Sequence, residues 1–147
     1  MWGILIVMLA GYSMWDIRKR SLPVLWVAAG LVIASGVGIG YRMLIENIDI
    51  TSSILRGMWG ILPGMSLVLL AIVLKEKVGV GDGLILSVIG GMIGFRYTIA
   101  ILMTALFLSF FYSCALLVFW KKEKNYRFPF VPFYLCGTLL VFFIVVK

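Results

Sequence analysis

Long runs of apolar residues alternate with short charged or polar interruptions along this chain, and the pattern predicts six helices. Pro23 and Pro129 suit the first turns of the second and sixth helices, where no backbone N–H is required. The fourth and fifth runs are separated only by Arg96 and Tyr97, so we expect a tight turn there. The predicted helices cover residues 2–15, 23–41, 57–74, 83–95, 97–120 and 129–146.

The composition places these helices in a membrane. Of the 147 residues, 63% are hydrophobic and the mean hydropathy is +1.14, which leaves too little polar surface to cover a water-soluble globule. No linker or long charge run divides the chain. The N-terminus lacks the leader and cleavage site of a removed signal peptide, so the first helix is expected to stay. We therefore predict an all-α, polytopic bundle of six transmembrane helices, a single domain over residues 1–147 in contact with the lipid bilayer.

The net charge of +7 comes from short basic clusters between the apolar runs, a placement typical of topology signals rather than of a nucleic-acid-binding surface. The loops after odd-numbered helices hold nine Lys and Arg residues, and the opposite side holds four. The positive-inside bias predicts the odd loops in the cytoplasm and both termini outside. The nine are Arg18, Lys19, Arg20, Lys75, Lys77, Lys121, Lys122, Lys124 and Arg127, and the four are Arg42, Arg56, Arg96 and Lys147.

The segment over residues 42–56 mixes apolar side chains with Glu46, Asn47 and Asp49. Two interpretations fit this mixture equally well. The segment is either an amphipathic helix lying on the outer membrane interface or an ordinary solvated loop.

Asp16 and Asp82 are the candidate chemical groups, because a carboxylate near a bilayer costs at least about 2.5 kcal/mol on insertion scales and usually marks a functional site. Both acids fall on the predicted cytoplasmic side, so folding can bring them together. The first and fourth helices are short for a bilayer, and we expect the first to continue past Asp16. The alternative is structural: Asp82 stabilises a helix start, and Asp16 pairs with Arg20 one turn away.

Glycines surround the second acid. Gly79 and Gly81 precede Asp82 and Gly83 follows it, which removes side-chain bulk and leaves room for an extended peptide beside a loop. Further along the same helix, Gly90 and Gly94 have the small-xxx-small spacing that lets helices approach closely. We expect that pair to hold the fourth helix against a neighbour.

The chain contains no histidine, and Cys114 and Cys136 each lie inside an apolar run. This excludes a Cys-x-x-Cys zinc site, a histidine-based triad and a histidine metal centre. We expect the two cysteines to pack as small apolar side chains. Carboxylate, hydroxyl and amine chemistry remain, and carboxylate chemistry needs neither a metal nor an organic cofactor.

Three separated segments resemble the type IV prepilin peptidases, which are Gly-x-Gly-Asp intramembrane aspartyl proteases. Residues 16–23 (DIRKRSLP) resemble the first catalytic segment of that family, residues 79–82 (GVGD) the second, and residues 128–133 (FPFVPF) the segment that opens the last helix. Val24 and Leu84 stand where many members have asparagine and lysine.

By this resemblance, Asp16 and Asp82 are the catalytic pair of an endopeptidase at the cytoplasmic face of a bacterial or archaeal cell membrane. The substrate would be a prepilin-like protein, such as a type IV or Flp-type pilin or a pseudopilin, whose short basic leader is removed. The chain resembles the short forms without an N-terminal cysteine-rich segment, so we expect no N-methyltransferase activity.

Two other classes of function fit a small membrane protein with two acids. One is an ion-transport subunit, since buried carboxylates commonly line ion paths. The other is a noncatalytic scaffold of a secretion or pilus assembly. Ion paths favour carboxylates near the bilayer midplane, whereas both acids here are predicted at one edge, so the sequence favours the protease.

Overall fold

Six α-helices form the part of the chain that the computed structural model describes, which is residues 1–19, 24–74, 79–120 and 130–146. No strand occurs within these ranges, so the prediction of an all-helical protein is confirmed there. The helices are α1 (Trp2–Lys19), α2 (Val24–Leu44), α3 (Ile50–Val73), α4 (Val80–Ile93), α5 (Phe95–Trp120) and α6 (Val131–Val146).

Within those ranges, three helices are long and apolar enough to cross a membrane, and two more are apolar but shorter. Each of the three long helices has at least the roughly 20 residues that are needed to cross a bilayer. They cover Leu25–Leu44, Ile50–Val73 and Phe95–Leu116, while the shorter ones cover Val80–Ile93 and Val131–Val145. A bundle with six membrane crossings stays a prediction.

Helix α4 is the centre of the bundle. It packs most extensively against α3 and next against α2, and its side chains from Ile85 to Ile93 are buried. Gly90 on α4 lies directly against Gly60 on α3, where a Cβ on either residue would overlap the carbonyl of the other. The predicted role of Gly90 in helix packing is therefore confirmed, and its neighbour is α3.

The first helix continues past Asp16 to Lys19, as expected. The turn between α4 and α5 differs from the prediction. Gly94 alone separates the two helices, with a φ of 86° that glycine adopts without steric cost. Arg96 and Tyr97 belong instead to the first turn of α5.

Both interpretations of residues 42–56 are wrong. Helix α2 continues to Leu44 and α3 begins at Ile50, so only a short connection with a left-handed Asn47 (φ 50°) remains between them. Arg42, which we expected at the surface, is only 3% exposed. Its guanidinium donates hydrogen bonds that satisfy backbone carbonyls, and this offsets its burial.

The carbonyls that Arg42 reaches belong to three residues on two other helices. The acceptors are Ser53 O at 3.2 Å, Gly91 O at 3.2 Å and Met92 O at 2.9 Å. The end of α2, the start of α3 and the end of α4 therefore meet at one end of the bundle. We call this the arginine end, defined by Arg42, Ser53, Gly91 and Met92.

Ring contacts place three further helix termini together. Trp2 at the start of α1 lies 5.6 Å from Tyr97 at the start of α5 and 5.9 Å from Phe142 near the end of α6, measured between ring centroids. The start of α1 and the end of α6 therefore lie beside each other.

The remaining sequence predictions concern the cysteines, the prolines and the basic residues. Cys114 and Cys136 are exposed on α5 and α6, and their packing as small apolar side chains stays a prediction. Pro23, Pro129 and most of the basic residues counted for topology lie outside the described residues.

Candidate active site

Asp16 faces the interior of the bundle because of the packing of α1. Leu5 and Leu9 are fully buried, and Ser13 and Asp16 continue the same stripe at 5% and 8% exposure. Steps of four, four and three residues keep these positions on one face of a helix. The two leucines therefore set a rotation of α1 that turns the acid inward.

The start of α6 meets this carboxylate. The backbone N–H of Val131, the first residue of α6, donates a hydrogen bond to Asp16. The first N–H groups of a helix have no acceptor within the helix, and they carry the positive end of its dipole. Asp16 thus fixes the entry of α6 to the C-terminal part of α1.

Asp82 lies in the first turn of α4, two residues after the helix begins at Val80. Its backbone N–H donates a 3.1 Å hydrogen bond to the carbonyl of Gly79, the N-cap residue. The dipole of α4 favours an acid at this position. Over the whole residue, Asp82 is partly exposed, whereas Asp16 is buried.

The structure brings the two predicted acids together. The charge of Asp16 acts on the carboxyl group of Asp82, so the two carboxylates lie within electrostatic reach of each other. Ionisation of one such carboxylate disfavours ionisation of the other. The pair sits where the C-terminal part of α1 meets the starts of α4 and α6. We call this the acid end, defined by Asp16, Asp82 and Val131.

The glycines around Asp82 have two separate structural roles. A Cβ on Gly79 would lie 2.9 Å from Oδ2 of Asp82, so a side chain there would press on the carboxylate. Gly83 faces α3, where a Cβ would lie 2.8 Å from the backbone N of Val68. The expectation of an open loop over residues 79–83 is therefore wrong, because Gly81 and Gly83 are already helical.

Sequence reasoning missed Tyr134. This residue is on α6, it is fully buried, and its hydroxyl has no hydrogen-bond partner in the described structure. The Asp82 carboxylate acts on its phenol electrostatically. A spacing of three residues puts Tyr134 on the same face of α6 as Val131, and that spacing was the available signal. In the sequence, Tyr134 directly follows the proline and phenylalanine segment over residues 128–133.

No protein-family model matches this sequence, and neither a curated protein nor a solved structure is significantly similar to it. The site is therefore defined by its own geometry. Among the described residues, no group of three or more His, Cys, Asp and Glu side chains is placed to hold a metal ion. What the geometry offers is a pair of carboxylates, partly shielded from solvent, beside a buried phenol.

Proposed function

We propose that this protein is a membrane aspartyl endopeptidase that removes the short basic leader from prepilin-like precursors. The observation that carries the proposal is the proximity of Asp16 and Asp82, two acids 66 positions apart (82 minus 16) that come within electrostatic reach only in the folded bundle. The motifs at residues 16–23, 79–82 and 128–133 supply the substrate class by resemblance.

In the mechanism that we propose, the pair holds one proton. The ionised carboxylate removes a proton from a water molecule, which attacks the scissile carbonyl carbon, while the protonated carboxyl donates its proton to the carbonyl oxygen. The carboxyl that gained the water proton then donates it to the amide nitrogen as the C–N bond breaks and the amine leaves. The other carboxylate takes the proton of one hydroxyl of the tetrahedral intermediate, which forms the product carboxyl group and restores the singly protonated pair. Neither a metal nor an organic cofactor takes part in these steps.

The substrate segment must be extended at the site, because a helical backbone occupies its carbonyls in its own hydrogen bonds. It approaches beside Gly79, next to Asp82. Since Gly81 and Gly83 belong to α4, the approach is limited to the surface beside Gly79, which is exposed.

We further propose that all six helices cross the membrane, with the acid end at its cytoplasmic face. Large apolar side chains on the outer surface support lipid contact: Leu25 is 82% exposed, Val32 73% and Ile144 75%. The nine-to-four distribution of basic residues orients the acid end toward the cytoplasm. Both acids lie at one end of the bundle, which favours an enzyme over an ion path through its centre.

The test is cleavage of a candidate prepilin by the purified protein in detergent or liposomes. We expect the wild type to release the leader and both Asp16→Asn and Asp82→Asn to lose at least about a thousandfold in rate, since each substitution removes one of two groups that act as a unit. Product mass identifies the bond that is cut.

Asp49→Asn is the matched control, because Asp49 is an exposed acid in the connection between α2 and α3. It should cleave at the wild-type rate. The helical content and the thermal midpoint of each variant are measured first, and only variants that match the wild type in both are compared. Cleavage that survives either substitution in the pair would contradict the protease. A wild type that cuts no prepilin but moves ions in liposomes would favour the transport alternative.

A further inference from the structure

We propose that Tyr134 is a positioning residue of the aspartate pair: its hydroxyl donates a hydrogen bond to the Asp82 carboxylate and fixes the orientation of that acid for reaction. The inference rests on the proposed function for its catalytic consequence. The hydrogen bond itself can be tested without any substrate.

The phenol of Tyr134 is an exception among the buried hydroxyls of the bundle. Ser87, Thr98 and Thr138 each donate to the carbonyl four residues earlier in the chain, at 3.0, 2.8 and 2.7 Å. Their short side chains make this possible. A tyrosine hydroxyl lies too far from its own backbone to do the same, so it needs a partner on another element.

Leaving a buried donor without a partner is costly, and few such groups persist in folded proteins. Tyr134 is 0% exposed, and its hydroxyl has no partner in the described structure. The ring is held in place by an edge-to-face contact with Phe130, with centroids 4.9 Å apart and planes at 82°. The ring contact therefore fixes the position of the side chain and, with it, the position of the unpaired hydroxyl.

The surroundings of the ring indicate the acceptor. Val131, one helical turn before Tyr134, already donates its N–H to Asp16, so this face of α6 is directed at the acid pair. Asp82 is the carboxylate that acts on the phenol. Among the described residues, Asp82 is therefore the acceptor that we assign to the Tyr134 hydroxyl.

Asp82 is also a better partner for the phenol than the substrate. Full burial of Tyr134 keeps a docking peptide away from its hydroxyl. A donor on an ionised carboxylate stabilises the ionised form and restricts its rotation. Tyr134 thus acts on the reaction through Asp82, while Val131 restrains Asp16 from the same helix.

The test replaces only the hydroxyl. Tyr134→Phe keeps the ring and its contact with Phe130, and Tyr41→Phe makes the same change on α2, near the arginine end. Because a single hydrogen bond contributes little net stability, we expect both variants to fold with the helical content of the wild type, and the two readouts below compare folded proteins.

The first readout is modification of Asp82 by a hydrophobic carbodiimide, which attacks protonated carboxyls, followed by peptide mass spectrometry. Removing the donor should accelerate labelling of Asp82 several-fold in Tyr134→Phe and leave it unchanged in Tyr41→Phe. Equal labelling rates in Tyr134→Phe and the wild type would overturn the proposal whether or not a cleavable substrate is known.

The second readout is cleavage kinetics. We expect Tyr134→Phe to lower kcat about tenfold, as for a misoriented reacting group, with KM within about twofold of the wild type. A raised KM at constant kcat would place Tyr134 in substrate binding and contradict a positioning role. Failure of the proposed function is distinct, since wild type and Asp82→Asn would then leave the precursor equally intact.

Discussion

The two ends of α4 bury charged groups in opposite ways. At the arginine end, the guanidinium of Arg42 is almost completely buried and donates to three backbone carbonyls. At the acid end, Asp16 and Asp82 are two acids within electrostatic reach of each other, and the adjacent Tyr134 hydroxyl has no hydrogen-bond partner among the described residues. The two ends are about 15 Å apart along α4, from the ten residue steps between Asp82 and Met92 at roughly 1.5 Å each.

The difference is the one expected between a structural charge and the acids of the active site that we propose. A buried cation that satisfies its hydrogen bonds closes the open carbonyls at the end of a helix and adds stability. Two acids that repel each other beside an unpaired donor reduce stability, and such an arrangement is typical of sites built for chemistry. The arginine end of α4 therefore stabilises the bundle that holds the two acids of the acid end in place.

Beyond the loss of cleavage expected of Asp16→Asn and Asp82→Asn, the largest effect should come from Arg42→Met. The substitution retains an apolar stem but leaves the carbonyls of Ser53, Gly91 and Met92 without their donor. We expect a loss of about 3 kcal/mol in the free energy of unfolding, measured by denaturant titration in detergent micelles. Because Asp82 is at the other end of α4, kcat per folded molecule should stay within about twofold.

Arg56→Met is the control for this prediction, since Arg56 is exposed on α3. It should change the free energy of unfolding by less than about 0.5 kcal/mol. The comparison between the two ends would break if Arg42→Met kept full stability and lost cleavage, because Arg42 would then belong to the functional machinery.

A smaller effect is expected from Gly90→Ala, which sharpens the comparison by disturbing the helix that both ends share. The added Cβ would overlap the carbonyl of Gly60, so α3 and α4 must separate. We expect a loss of about 2 kcal/mol in the free energy of unfolding together with a fall in kcat, because Asp82 moves with α4.

Gly36→Ala is the matched control, since a Cβ on Gly36 meets nothing within 4 Å. It should leave cleavage unchanged and raise the free energy of unfolding by up to about 1 kcal/mol, the usual gain of alanine over glycine inside a helix. Equal stability of Gly90→Ala and Gly36→Ala would show that close packing of α3 on α4 is not required.

The sequence was most informative where a charge interrupts an apolar run. Asp16 and Asp82 stand out because a carboxylate is expensive beside a bilayer, and the folded bundle places them within electrostatic reach. The inward direction of Asp16 also follows from the spacing of Leu5 and Leu9, which is readable without coordinates.

Tertiary contacts decided what the sequence could not. Arg42 has the appearance of a loop cation, and only the approach of Gly91 and Met92 from α4 supplies the carbonyls that bury it. In the sequence, nothing distinguishes Tyr134 from an ordinary core aromatic, and only the folded structure brings the charge of Asp82 to bear on its phenol. The break at Gly94 depends on a backbone angle that several of the 16 glycines would tolerate equally well.

Thiol cross-linking tests most directly whether the two acids share one site. In a Cys114→Ala/Cys136→Ala background, Asp16→Cys and Asp82→Cys are combined and treated with the shortest methanethiosulfonate cross-linker, and Asp16→Cys with Asp49→Cys is the control pair. We predict an intramolecular cross-link, seen by intact mass, in the first pair and none in the second. Single thiols that react at both positions without forming a cross-link between residues 16 and 82 would contradict the account.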